Sequence, residues 1–490
     1  MASRLLPRGA ALLLVSLLAA CSADPVAMTT GTELNHPGPA LAVQLLAAGN
    51  AVDTGEVTLM VDAVAYPVRL DTTRVWNFVS TGTHQVRVEG LPTRCLADPE
   101  SALVDVAADD TTTFVIHIAC YGGIAFSEWT GSGAWQVWYQ SESGEVRPVT
   151  QGPQYHFARG WSPDGSHIVG EVSDSTFHQG IFSVRPDGTD YYQYTPTTGD
   201  DWEPRWSPTG GAIAFGRFGP STISVEVVQP DAPAVNALMG TTDQLFDVSW
   251  LPDGTGLVFS CSSFGHYWDI CAAGAGGRGL HPIVSMANAQ HADVDPQGRS
   301  VAFEGYADPD HGGIYAVDLD GTHLNGLALG LNSYYSKWSP DGRYLAVNTA
   351  EAGDLFPLRV VSRDGAVTSA PLDSFAGTPD WSPDGRVIAF DSWAGGKHGI
   401  WIATPDGRLK HPLVLDDHIF LHPLWRPGPG WRKAPATGTT RIIPDRRPMA
   451  TANAPGPYRC IALPGDPAAP TSSDRPVALP CTMARSARRH

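Results

Sequence analysis

WSPDGRVIAFDS occupies residues 381–392, and the chain keeps returning to it. Close copies begin at Trp161 (WSPDGSHIVGEV), Trp206 (WSPTGGAIAFGR), Trp250 (WLPDGTGLVFSC) and Trp338 (WSPDGRYLAVNT). A copy without tryptophan, VDPQGRSVAFEG, begins at Val294, and a last fragment, WRPGPG, begins at Trp425. Successive anchors stand 43 to 45 residues apart. A fixed period in this range marks a repeat architecture, each unit being one supersecondary element that buries its apolar face against its neighbours.

Each unit reads as four short strands. The tryptophan closes the first, and Ser-Pro-Asp-Gly turns the chain, with proline presetting φ, aspartate bonding to nearby amides and glycine supplying a positive φ. A second strand follows (RVIAF, RYLAV), then a loop of variable length and a third strand such as GIYAV from Gly313 or GIWIA from Gly399. A further Asp-Gly turn comes next, at Asp187-Gly188, Asp320-Gly321, Asp364-Gly365 and Asp406-Gly407, and a fourth strand leads to the next anchor. Four antiparallel strands in about 44 residues make one propeller blade. The recurring aspartate is therefore turn chemistry, not a repeated catalytic acid.

Closure sets the number of blades. GGIAFSE, AWQVWYQ and EVRPVT, ahead of Trp161, supply three strands without a first. FLHPLW, ending at Trp425, supplies a first strand with nothing after it. Joining them gives an all-β, seven-bladed β-propeller over residues 121–432 with no open edge; six or eight blades are the neighbouring alternatives. Ahead of it, residues 38–120 alternate apolar and polar positions with period two (ALAVQLL, EVTLMVD, HQVRVEGL, TTTFVIHIAC), as half-buried strands of a small β-sandwich do.

The recurrence of WSPDG, an IAF-type strand and the later Asp-Gly hairpin resembles the TolB-type, WD-like propeller repeat. The resemblance spans residues 122 to about 431. It implies a non-catalytic platform that holds a protein partner at its channel face, although the TolB ring it resembles has six blades. GTHQVRVEGLPTRC resembles PEGA-like and carboxypeptidase-regulatory-like sandwich domains, which serve as spacers or adhesive modules. At the N-terminus, Arg4 and Arg8 precede an apolar run, 10–20, that is too short to span a bilayer as a mature helix and reads as a secretory signal over residues 1–20. Its ending, LAAC, resembles the lipobox of bacterial lipoproteins. That resemblance implies lipidation at Cys21, a tether over 21–37 and, with Ser22 following, placement in the outer membrane.

The formal charge is −18, and the segment from Trp431 onward carries ten Arg or Lys against three Asp, so the remainder is more acidic still. An acidic body repels phosphate backbones, which excludes nucleic acid as the expected partner. The tail, 433–490, is rich in Pro, Ala, Thr and Arg and reads as disordered. With Cys21 set aside, six cysteines form three local couples: Cys95 with Cys120, Cys261 with Cys271, and Cys460 with Cys481. Fifteen connectivities are open in principle, and export makes disulfides reasonable. None of the spacings is a zinc pattern.

No G-x-S-x-G elbow, H-E-x-x-H helix or phosphate loop is present, and no cofactor is implied. The informative column lies three residues before each anchor: Ala158, Glu203, Asp247, His291, Tyr335, Thr378 and His422. Six of these seven are polar where inner strands usually offer apolar residues, and the preceding column (Phe157, Trp202, Phe246, Gln290, Tyr334, Gly377, Leu421) holds four aromatics. Such a ring at a channel rim suits a peptide or polar ligand. A sharper grouping takes His156, Gln290, His291 and His422 as metal ligands, and the seven-bladed oligogalacturonate lyases, which the chain broadly resembles, use His and Gln around a metal. A further group, Glu128, Trp129, Trp135, Trp138 and Tyr139, could stack carbohydrate, although packing between blades explains it more simply.

The reading that results is an exported, lipid-anchored envelope protein whose propeller binds a protein or ligand without turnover. A metal-assisted polysaccharide-degrading propeller enzyme is the alternative, and a purely structural envelope protein is the third.

Overall fold

The computed structural model describes residues 39–428, apart from 50–55, 220–222, 243–245, 262–268, 307–311, 330–331, 351–355, 394–395 and six single positions. The signal, Cys21, the tether, the 433–490 tail, Cys460 and Cys481 lie outside the described residues. All elements assigned among the described residues as regular secondary structure are β-strands.

The first 80 or so described residues form two four-stranded sheets. One runs Thr72–Asn77, Ala40–Gly49, Thr111–Cys120, Cys95–Asp98, and the other Val64–Arg69, Glu56–Val61, Gly82–Glu89, Ser101–Val106. Ala40–Gly49 and Thr111–Cys120 pair in parallel along their whole length. Alternate residues of both sheets, Leu41, Val43, Leu45, Leu59, Val86, Ile116 and Ile118 among them, share one buried core, as period-two patterning requires. Cys95 and Cys120 face each other in register and are disulfide-bonded.

No linker separates this unit from the propeller. Tyr121 is buried and joins Leu96 and Ala119 to a cluster that holds Ile124, Phe126, Val387 and Trp425. Its amide donates to Arg94 O at 2.9 Å.

Seven blades follow in the order the repeats dictate, with II and III joined into one sheet by a bridge between Gln179 and Asp200. Blade II is Tyr155–Trp161, Ile168–Ser173, Gln179–Val184 and the short Tyr192–Gln193. Blade III runs from Asp200–Trp206 to Ala232–Thr242, blade IV from Phe246–Trp250 to His281–Ser285, and blade V from Ala287–Val294 to Asn325–Leu329. Blade VI has three strands, Asn332–Trp338, Tyr344–Ala350 and Leu358–Ser362, with isolated bridges at Thr368 and Asp373 in place of a fourth. Blade VII runs from Asp380–Trp381 to Lys410–Leu415. Blade I is composite. Ile419–Trp425, the last strand, pairs antiparallel with Ile124–Trp129, which leads on to Trp135–Gln140 and Val146–Pro148. Each innermost strand neighbours the next, and Ile419–Trp425 neighbours Tyr155–Trp161, so the circle of seven closes.

The anchors tie blade to blade. The indole N–H of Trp161 donates to Leu424 O (3.0 Å), Trp250 to Arg205 O (2.9 Å), Trp338 to Asp293 O (3.1 Å), Trp381 to Lys337 O (3.0 Å) and Trp425 to Asp380 O (3.2 Å). Each of these acceptors belongs to the preceding inner strand. Trp206 instead bonds its own turn, at Gly210 O. Blade V, which has no tryptophan, replaces the tie with Val294 N donating to Ser249 Oγ (3.2 Å). The turn beside each anchor is built as its sequence implies: in the Trp381 copy, Gly385 N donates to Ser382 O at 2.7 Å, Ser382 Oγ donates to Asp384 at 2.6 Å, and Gly385 takes φ 71°.

Candidate functional site

The column three residues before the anchors has a shared backbone. Glu203, Asp247, His291, Tyr335 and His422 all take a left-handed conformation, with φ between 47° and 55°. The ladder register of each of their strands shifts at that point. Non-glycine residues visit this region uncommonly, so five occurrences at one repeat position define a β-bulge built into the inner strands. Glu203, His291, Tyr335 and His422 sit midway along their inner strands, whereas Asp247 is the second residue of Phe246–Trp250.

A bulge removes an amide from the ladder, and that amide needs a partner. At several blades a polar side chain of a second column, directly after the apolar run of a second strand, supplies one. Ser127 Oγ accepts from Ala158 N (3.0 Å), and Glu171 accepts from Glu203 N (2.7 Å). The Asp391 carboxylate accepts from the amides of Thr378 and His422. Asn348, in the same column, donates to Ala376 O at 2.8 Å. Ser127, Glu171, Asn348 and Asp391 are all buried. The reading of the sequence missed this column. Its signal is a polar residue recurring where the apolar second strand should continue.

The bulged side chains meet charged neighbours on their own and adjacent blades. Arg159, on blade II, lies 2.9 Å from Glu171 and 3.2 Å from Glu203, and its Nη1 is 3.4 Å from His422 Nδ1 on blade I. Arg205 closes on Glu203 at 2.7 Å. His291 lies 3.0 Å from Glu304 and 3.5 Å from Asp247, with its ring 5.0 Å from that of Tyr335. Tyr335, on blade VI, is near enough to act on the charge of Arg159 on blade II.

The electrostatics follow from burial and pairing. Burial opposes ionisation of Glu203, but Arg159 and Arg205 outweigh it and hold its carboxyl down at about 2. Burial opposes charge on His291, but Asp247 and Glu304 outweigh it and raise the imidazole to about 9. Burial, reinforced by Arg159, depresses His422 to about 3. Burial raises Asp247 despite the neighbouring His291. At neutral pH the channel therefore holds a charged His291 and an uncharged His422.

Other sequence-derived candidates lie elsewhere. Thr378 is held through its amide by Asp391 and lacks the bulge conformation of the other five. His156 is buried against Phe182, with its ring nitrogens near Gln154 O and Tyr191 Oη. Gln290 pairs in register with Glu304. His156, His291 and His422 thus have separate surroundings and do not converge on a common centre. Among the described residues one group can converge on an ion: Glu128, Asp416 and His418. Of the blade I aromatics, Trp138 and Tyr139 pack into inter-blade clusters, whereas Trp129 and Trp135 join Tyr155, Phe157, Ile419 and Leu421.

The fold is a β-propeller with a bulged, self-paired polar channel. Residues 204–428 match the TolB beta propeller domain family. An uncharacterized protein of Agrobacterium fabrum is 26% identical over 171 residues, which cover 34% of this chain and 57% of that protein. The Tol-Pal system protein TolB of Anaeromyxobacter dehalogenans is 31% identical over 90 residues, 18% of this chain and 20% of that protein. The chain thus spans little more than half of one relative and a fifth of the other. Among solved structures, an oligogalacturonate lyase in complex with manganese is similar at a TM-score of 0.49 and 14% identity, over 66% of this chain and 94% of that one.

Proposed function

We propose that the protein is an exported, lipid-anchored component of the cell envelope, joined to the outer membrane through Cys21, and that its propeller is a non-catalytic platform for a polypeptide partner engaged at the channel. The observation that carries this reading is the inner-strand bulge. It presents Glu203, Asp247, His291, Tyr335 and His422, side chains of different charge and shape, at one depth from five blades. A strained conformation repeated at non-glycine residues is a device for placing side chains, and a mixed polar and aromatic ring suits a peptide.

The channel residues are paired with each other and are poorly poised for proton transfer at neutral pH, since Glu203 and His422 titrate far below it and His291 above it. Asp380 and Asp391 are raised by burial to about 7, but each carboxylate is engaged by backbone amides, Asp380 by Trp425 N at 2.7 Å. This arrangement favours the platform over the metal-assisted polysaccharide enzyme. The TolB family match supports a protein partner.

The test is affinity capture from native envelope extract with the lipid-free protein from Ser22, alongside a His291→Ala, Tyr335→Ala, His422→Ala variant of matched circular dichroism. A defined partner held by the parent and lost by the variant is the expected result. Equal capture by both would move recognition away from the channel. Capture by neither would return the polysaccharide enzyme to first place.

A further inference from the structure

Glu128 is the penultimate residue of Ile124–Trp129, the second strand of blade I, and Asp416 and His418 lie in the turn that feeds the ring-closing strand Ile419–Trp425. His418 Nδ1 is 2.8 Å from Glu128 Oε1 and 3.1 Å from Asp416 Oδ1. The three ligand atoms all lie within 4.8 Å of one another. At these distances an ordinary histidine–carboxylate contact is a hydrogen bond, yet Nδ1, although shielded from solvent, has no hydrogen-bond partner. Glu128, whose side chain is only 4% exposed, has no other ion-pair partner among the described residues. A buried carboxylate set beside an imidazole nitrogen that it does not hydrogen-bond is costly unless something charged lies between them.

We propose that Glu128, Asp416 and His418 form a site for a divalent transition-metal cation of the Mn²⁺ or Zn²⁺ type. One nitrogen and two oxygen ligands suit these ions better than Ca²⁺, which takes six to eight oxygens. The side chains of Asp416 and His418 are 45% and 40% exposed, so the site opens to solvent on one side and leaves coordination positions for water or a ligand. The consequence for the fold is specific. Phe420 pairs with Glu128 in the seam between Ile419–Trp425 and Ile124–Trp129, so a cation here clips the first and last strands of the propeller together at the ring closure. This site is separate from the channel, and the proposal stands whether or not the channel binds a partner.

The test uses the full, untagged chain from Ser22, stripped with chelator and titrated with MnCl₂ and, separately, ZnCl₂. The expected result is one equivalent bound, a melting temperature that rises with free metal, and slower hydrogen exchange in 419–425. Asp416→Asn, a surface change that leaves packing intact, and Glu128→Gln are each expected to weaken binding at least about tenfold. A stoichiometric ion whose affinity is unchanged in Asp416→Asn and in His418→Ala would overturn the assignment. So would the absence of binding by the parent chain. A His291→Gln variant, altered in the channel alone, is expected to bind metal as the parent does.

Discussion

The indole of Trp381 does two things: it fills the gap between blades VI and VII, and it donates to Lys337 O. Truncation to alanine should cost about 3–5 kcal/mol, and Trp381→Phe, which keeps most of the volume, about 1 kcal/mol for the lost bond. Denaturant unfolding separates the two. Trp206 bonds its own turn, so Trp206→Phe should not loosen an inter-blade tie. The buried histidines give the pH response. His398 accepts the amide of Phe420 at Nδ1 (2.7 Å), and burial holds it down at about 4, whereas an unfolded imidazole titrates near 6.5. Between those values the unfolded chain binds the extra proton, so stability falls as pH drops from about 6.5 toward 4, by up to roughly 3 kcal/mol. His398→Gln should lessen that slope, to which the depressed His422 also contributes in the same sense. His291, raised to about 9, acts in the opposite sense. Its contribution is complete below pH 6.5 and is lost as pH rises through 9, so His291→Gln should flatten the alkaline limb. Unfolding midpoints measured from pH 4 to 10 check both.

At the scale of the element, the four-strand repeat and its turns were legible because their signals are local: proline, aspartate and glycine at fixed offsets, then an apolar run. The polar column before the anchors was legible as an exception to that pattern. What could not be read was the reason for it. The bulge at Glu203 depends on Glu171, 32 residues earlier and on another blade, and no local period reports such a partner. For the same reason the sequence shows the polarity of the column and not the bulge that carries it. His156 shows the reverse error: grouped by residue type with His291 and His422, it faces Phe182 and Tyr191. The bulge itself is testable. Tyr335 holds φ 47°, so Tyr335→Val, β-branched, should be about 1–3 kcal/mol less stable than Tyr335→Gly, although glycine removes more side chain. The disulfide Cys261–Cys271 joins facing strands of blade IV. Replacing both cysteines with serine should cost about 2–4 kcal/mol, read from the shift in melting temperature.

At the scale of the molecule, the ring depends on its last strand. Ile419–Trp425 covers the edge of Ile124–Trp129, and Phe420 and Trp425 enter the cluster that also seats Tyr121 and Leu96 of the N-terminal unit. Ending the chain after Asp417 should bare a sheet edge and loosen the junction together; size-exclusion chromatography should then show more self-association than the full chain does. The claim on which function turns is that the interior of this ring receives a polypeptide. In-cell photo-crosslinking tests it most directly, with a benzophenone amino acid placed at Tyr335 in the channel and, as control, at Thr189 in an outer Asp-Gly turn. The account predicts a discrete protein adduct from position 335 and none from 189. No adduct at 335, or the same adducts from both positions, would contradict it.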